Sequence, residues 1–277
     1  MNVHYDPLGS RAPVRIAQDG DVLSITLDRP DALNALSDAT LDGLHTAVDE
    51  AECADARVAV LRGEGRAFCA GADVLELREA LAANPARDWG GQRREAGRWN
   101  RLFERLDRIP QVLVGALHGP VVGGGVILAT CCDLRVAAPN LRLWIPEVAI
   151  GRPLTWGGNP RLVREIGLSR ARELVMTARE LTADDALAWG LVHRVGDLEV
   201  ETARLVESLV AMPAAPLEMT KASFRAYGQT IVSDALAWPD ADILDGVTVD
   251  KESRRATIGY VERFDRARGS RPKDQTC

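Results

Sequence analysis

The stretch HGPVVGGGVILAT, residues 118 to 130, sets three consecutive glycines, Gly123, Gly124 and Gly125, ahead of an unbroken apolar run. The segment before it, QVLVGALHG (111–119), is apolar on both faces and reads as a buried strand. The apolar run after the glycines reads as a helix through about Cys132. Glycine at such a junction lets the backbone come close to a ligand. The first amides of a helix have no partner within it and carry the positive end of its dipole. Two readings stand at this point: a site for an anion or oxyanion, or tight strand–helix packing. The spacing is not G-x-G-x-x-G, which argues against a dinucleotide site, and the absence of G-K-[ST] excludes a P-loop.

Working outward, the same alternation recurs. DVLSITLD (21–28) alternates as a strand and stops at Arg29-Pro30. Ser37 is a suitable N-cap for a helix carrying Leu41, Leu44 and Val48. RVAVLRG (57–63) reads as a buried strand, and DVLELREAL (73–81) as a helix. ANPARDWGGQ (83–92), with Pro85, Gly90 and Gly91, reads as an interruption before a helix over roughly 93–107. DLRVAAP (133–139) is again a strand. Strands apolar on both faces, alternating with helices, predict a parallel sheet covered by helices. After about Glu147 the chain turns helical, with Thr182 as an N-cap and a strand-like LVHRV (191–195) before a helical tail over about 198–266. The final ARGSRPKDQTC reads as frayed. The expected division is a loose lead-in (1–12), an α/β core (13–197) and a C-terminal helical region (198–277).

The bulk composition narrows the function classes. The 277 residues are 46% hydrophobic and 27% charged, as in a globular domain with a sizeable core. The 34 basic residues are outnumbered by 40 acidic ones, a net charge of -6, which predicts no general affinity for nucleic acid or anionic membranes. The five cysteines are odd in number and show no metal-ligand spacing. They read as reduced thiols of a cytoplasmic protein. The first twenty residues contain no apolar core segment, so no signal peptide is expected.

A second stretch repeats the logic of the first. LRGEGRAFCAGADVLEL (61–77) is also a strand, a glycine-containing loop and a helix start, centred on Ala70-Gly71-Ala72-Asp73. Two such loops can aim two amides at one oxygen, the arrangement of a thioester oxyanion hole, where each donor is worth roughly a few kcal/mol in the transition state.

Through these two loops and three further segments, the chain resembles the crotonase (enoyl-CoA hydratase/isomerase) superfamily over nearly its whole length. ITLDRPDALNALS (25–37) is similar to that family's first strand and turn, and AFCAGADVLEL to its first oxyanion and adenine loop. HGPVVGGGVILATCCDLRVAA is similar to its second oxyanion loop and helix. WIPEVAIG (144–151) matches its catalytic-glutamate segment, and LTADDALAWGLVHRV (181–195) the turn into its C-terminal helices. The resemblance implies a crotonase-like spiral of repeated β-β-α units with a C-terminal helical trimerisation region. It implies an acyl-CoA thioester as substrate, no metal, no separate cofactor, a homotrimer or hexamer, and no nucleic-acid or membrane partner.

Carried over by position, the resemblance assigns the two oxyanion amides to Ala72 and Gly124 and the acid/base to Glu147. It puts Ala70, Gly71 and Asp73 in the cofactor-binding loop that meets the CoA moiety, and Ile127, Thr155 and Trp156 in the substrate pocket. Ile127 stands where a typical hydratase has its first glutamate. Thr155 replaces a glycine near the catalytic water, and Trp156 adds bulk beside it. Asp31 and Leu75 stand where a basic residue is often seen near the CoA phosphates. Isoleucine moves no proton, so one carboxylate remains. A single glutamate near C2 of a bound thioester can take a proton at one carbon and return it at another, with the oxyanion hole holding the dienolate. Double-bond isomerisation is therefore preferred. Hydration with one glutamate, as in members similar to hydroxycinnamoyl-CoA hydratase-lyases, is the alternative. A non-catalytic acyl-CoA-binding or partner-binding protein is a third reading, against which Glu147 speaks.

The remaining residues have plainer expectations. Asp73 also suits a helix cap. His118 and His193 read as structural, and Cys69 as a packing thiol, with no base nearby to activate it. Trp89 and Trp99 either shape the acyl pocket or pack helices. Arg87, Arg93 and Arg94 read as a solvated face. Arg254, Arg255, Arg263 and Arg266 are candidates for CoA phosphates in an oligomer.

Overall fold

The computed structural model describes residues 12–82, 89–233 and 239–269. Nine strands are described: β1 (Val14–Asp19), β2 (Val22–Leu27), β3 (Val58–Gly63), β4 (Val112–Leu117), β5 (Pro120–Val122), β6 (Leu134–Ala137), β7 (Arg142–Trp144), β8 (Leu181–Thr182) and β9 (Arg194–Val195). Between and after them run α1 (Asp38–Cys53), α2 (Val74–Ala82), α3 (Trp89–Leu106), α4 (Gly124–Thr130), α5 (Gly158–Thr177) and α6 (Ala183–Trp189). The chain ends in α7 (Leu198–Val210), α8 (Ala214–Ile231), α9 (Asp240–Thr248) and α10 (Lys251–Gly269).

Six strands form one sheet in the order β1-β2-β3-β4-β6-β9, parallel except for the β1–β2 hairpin. The side chains of β3 and β4 alternate between two cores, as the two-residue strand period requires. Ala59, Leu61, Leu113 and Leu117 face one core, together with Leu41, Leu44 and Val48 of α1 and all of the apolar residues of α4. Val58, Val60, Val112 and Val114 face the other, which Leu205 of α7 closes with Leu198, Leu209 and Leu217 packed around it. Each buried leucine or valine removed from water contributes roughly 1.5–3 kcal/mol.

Local signals explain the element boundaries. Ser37 caps α1, its hydroxyl accepting the Thr40 amide at 3.2 Å. Thr182 and Asp185 form a reciprocal capping box at the start of α6. Every residue of α4 is buried, which is why its sequence has no polar stripe.

Two expectations need correction, and some elements were not anticipated. The segment Val14–Asp19 is a strand, β1, held by the antiparallel β2 rather than by its own alternation. Gly90 and Gly91 do not interrupt α3, which begins at Trp89 and runs through them. β5, β7 and β8 make a second, three-stranded sheet that short segments of two or three residues do not announce. Residues 267–269 continue α10 rather than fray, while 270–277 lie outside the described residues, as does Arg87.

Candidate functional site

The two glycine loops meet. Residues 69–73 run as an irregular strand between the 33–36 turn and β5. On one side Ala70 donates to the Leu33 carbonyl at 2.9 Å, Leu36 donates to the Gly71 carbonyl at 2.7 Å, and Asp73 donates to the Leu36 carbonyl at 3.1 Å. On the other side Cys69 donates to Pro120 and accepts from Val122. The N–H of a trans peptide points opposite to its C=O, and the carbonyl of the Gly71–Ala72 peptide faces the 33–36 turn. The Ala72 amide therefore points to the β5–α4 side, where Gly124 begins α4. Among the described residues no hydrogen bond takes up the amide of Ala72 or that of Gly124. A β-carbon built on Gly71 would lie 2.6 Å from the Val122 carbonyl oxygen and 3.4 Å from the Gly124 nitrogen. Only glycine, at its φ of +82°, allows the loops this approach.

Glu147 arrives from the other direction. It follows β7 and caps a single 3-10 turn, Val148–Ile150, which α10 clamps: the Thr257 hydroxyl donates to the Ile150 carbonyl at 2.8 Å. The carboxyl group lies against Gly123, where a β-carbon would stand 2.3 Å from Oε1. Its Oε2 is out of reach of solvent and has no hydrogen-bond partner among the described residues. Burial pushes its pKa up to about 7, although its own backbone amide and the Arg152 charge act the other way. A carboxyl with that balance can both take and return a proton near neutral pH.

The wall beside it is apolar and aromatic. Ile127 is fully buried, and its Cδ1 packs on Gly158 at the start of α5. Trp156, with φ +61°, turns its indole onto Gly124; a β-carbon there would be 2.3 Å from Cζ3. The indole stacks on Trp99 at 4.8 Å between ring centroids and meets Phe103 edge-on at 6.2 Å. Asp240 of α9 accepts the Gly157 amide at 2.8 Å and so ties down the turn that carries Trp156. Thr155 lies in the same turn, and its carbonyl accepts the Gly158 amide.

The other expected residues separate into two groups. Ala70 and Gly71 line the first loop, but both carboxyl oxygens of Asp73 are engaged: Oδ1 accepts the Leu75 amide and Oδ2 pairs with Arg29 at 2.9 Å. Asp31 is exposed and Leu75 half-buried. Cys69 is buried, its thiol pushed up to about 12 by desolvation, so it is no nucleophile. His118 is bound to the Gly65 carbonyl and His193 to the Arg135 amide, both structural contacts. Trp99 belongs to the aromatic wall, while the side chains of Trp89 and Arg93 lie outside the described residues. Arg94 is exposed, as are Arg254, Arg255 and Arg266 on α10.

Sequence reasoning passed over Arg29, Asn34, Arg152 and Tyr260. Asn34, in the left-handed region at φ +56°, donates to the Glu64 and Ala67 carbonyls and buttresses the first loop. Asparagine in a D-A-L-N turn was a readable signal for it. Arg152 and Tyr260 both act electrostatically with Glu147, and the Tyr260 phenol is pushed up by burial and then by that carboxylate. Nothing local marks Tyr260, which is 113 positions away in the chain.

Comparison with known proteins gives the family. The sequence pattern of a family described as Enoyl-CoA hydratase/isomerase matches residues 17–268. The chain is 29% identical over 255 residues to a short-chain-enoyl-CoA hydratase of Clostridium acetobutylicum, covering 90% of this chain and 95% of the relative. It is 31% identical over 248 residues to a crotonyl-CoA hydratase of Syntrophomonas wolfei, covering 84% and 92%. Among solved structures, an enoyl-CoA hydratase/isomerase from Mycobacterium paratuberculosis superposes with a TM-score of 0.78 at 26% identity, over 91% of this chain and 99% of that one.

Proposed function

The chain belongs to the enoyl-CoA hydratase/isomerase family, and from that premise we propose that it moves a double bond within an enoyl-CoA thioester, with Glu147 as the only carboxyl acid/base. The observation that carries this reading is the buried Glu147 carboxyl, at a pKa of about 7, lying against Gly123 at the start of α4, with the Ala72 and Gly124 amides taken up by no hydrogen bond among the described residues; the family resemblance puts Ile127, fully buried, where a second glutamate would stand. The Ala72 and Gly124 amides receive the thioester oxygen. Glu147 removes a proton from C2 of a 3-enoyl thioester and returns it at C4. Negative charge grows on the oxygen between the two steps, where preorganised donors lower its energy. Ala70 and Gly71 bear the CoA moiety, and Ile127, Thr155 and Trp156 bound the acyl group. No metal or further cofactor takes part in this scheme. Hydration is the second reading, favoured by the hydratase names of the two relatives above.

The test is a paired assay of the wild type and Glu147→Gln with a 3-enoyl-CoA and, separately, a 2-trans-enoyl-CoA, following the absorbance of the conjugated thioester. A rise with the 3-enoyl substrate, lost in the variant, is expected. A fall with the 2-enoyl substrate, with 3-hydroxyacyl-CoA formed, would replace isomerisation by hydration. Binding of thioesters with neither signal would leave an acyl-CoA-binding protein.

The same proposal includes a homotrimer or hexamer, supported by Met219, Phe224, Tyr227 and Ile231, which stand exposed on α8. Light scattering after size exclusion would read it directly. It also includes a cytoplasmic setting, supported by the free thiols at Cys53, Cys69, Cys131 and Cys132. Among the described residues no helix is long and apolar enough to cross a membrane.

A further inference from the structure

Trp156 stands in a backbone conformation that a bulky residue rarely takes. Its φ is +61°, and Gly157 follows it at +70°. Such a conformation persists only where its surroundings over-determine it, and residues held this way gather at binding and catalytic sites. Three elements hold the turn 155–158. Ile127 of α4 brings its Cδ1 to within 2.7 Å of where a β-carbon on Gly158 would stand. Trp99 and Phe103 of α3 pack against the indole. Oδ2 of Asp240, the first residue of α9, accepts the Gly157 amide across 83 positions of the chain.

The first two are apolar contacts, which rings and methyl groups keep over a range of orientations. The third is directional. Gly157 is the N-cap of α5, and the amides at a helix start have no partner within the helix. A carboxylate there also meets the positive end of the helix dipole. Asp240 therefore fixes the point, one residue after Trp156, at which the chain leaves the turn and enters α5. α9 lies against α3 as well, so the aromatic wall and its anchor pack together.

The indole so held lies over Gly124. A β-carbon on that glycine would be 2.3 Å from Cζ3 and 2.9 Å from Cε3 of the ring. Gly124 supplies one of the two amides assigned to the thioester oxygen, so the ring stands beside the carbonyl end of the acyl group. Behind it are Trp99, stacked on it, and the fully buried Phe103. A ring backed by a packed interior yields only if the turn that carries it moves.

We propose that Asp240 is a positioning residue for acyl-chain selection: by holding the Gly157 amide it keeps the Trp156 indole across the acyl end of the site, and so restricts the enzyme to short-chain enoyl thioesters. This rests on the reading in which the Gly124 amide receives the thioester oxygen.

The test has one readout without substrate and one with it. Two stacked indoles give an exciton couplet in circular dichroism, identified here by its loss in Trp99→Phe and in Trp156→Phe. The substrate readout is the ratio of kcat/KM for 3-dodecenoyl-CoA to that for 3-butenoyl-CoA, or for the corresponding 2-enoyl thioesters if the wild type hydrates. Both are measured for the full chain with Asp240→Asn, which keeps an acceptor oxygen, and with Asp240→Ala and Asp240→Leu, which remove it; leucine keeps volume in case alanine impairs folding. The wild type is expected to prefer the short thioester. The couplet should weaken and the ratio rise roughly tenfold or more in the alanine and leucine variants, with asparagine close to wild type. In a Trp156→Ala background the same changes at Asp240 should leave the ratio where it is. A wild type that prefers the long thioester overturns the proposal, as does an unchanged couplet or an unchanged ratio in both acceptor deletions. A weakened couplet in a chain that converts no enoyl thioester would keep the link from Asp240 to Trp156 and overturn the thioester reading beneath it.

Discussion

Replacing Glu147 by glutamine should stabilise the protein, and by an amount that depends on pH. In the folded chain the carboxyl has a pKa of about 7 against an ordinary value of 4.5. Below about 4.5 it is protonated in folded and unfolded chains alike and contributes nothing. Between the two values the folded chain holds a proton that the unfolded chain has released, so stability falls as pH rises. Above about 7 both states are ionised, and the full cost of burying the charge is present. At 1.36 kcal/mol per unit, this comes to about 3 kcal/mol. Glutamine has the same shape, carries no charge and gives up no hydrogen bond at Oε2, which has none among the described residues. The assay is urea unfolding of both proteins, at one protein concentration, across this pH range. The stability difference should grow by about 3 kcal/mol from the acidic to the basic end, or roughly 5–10 °C in Tm. A difference that stays flat with pH would refute the reasoning, because it would mean that Glu147 titrates like a solvated glutamate.

Three further outcomes follow from packing. Ile127→Glu should not restore a second acid/base: its side chain meets Gly158 in a fully buried position, and the variant should lose about 3 kcal/mol or more in denaturant unfolding. Gly71→Ala should destabilise by roughly 1–3 kcal/mol and lower kcat, because its β-carbon meets backbone at φ +82° and forces the two loops apart. Trp156→Ala should remove the stack on Trp99 and open the space over Gly124, costing about 3 kcal/mol. Its kcat/KM should shift toward longer acyl chains, measured as the ratio of a long to a short enoyl-CoA; an unchanged ratio would remove Trp156 from the acyl pocket.

Much of this protein is decided by local chemistry that the sequence displays. Ser37 and Thr182 announce α1 and α6 because a cap is a contact between residues three apart. The apolar runs of β3 and β4 announce buried parallel strands because both of their faces are covered. The glycines at 71 and 123–125 announce places where backbone comes near something else, and the motifs around them, taken in order with three further segments, identify the family. The tertiary structure decided the rest. β1 exists because β2 supplies its hydrogen bonds, and β5, β7 and β8 are too short to carry a period. No local pattern says that Trp156 stacks on Trp99, or that α10 brings Tyr260 up to Glu147. The proton affinity of Glu147 is a property of what surrounds it. The sequence supplies a carboxyl, and only the closed fold, by removing water from around it, raises its pKa to about 7.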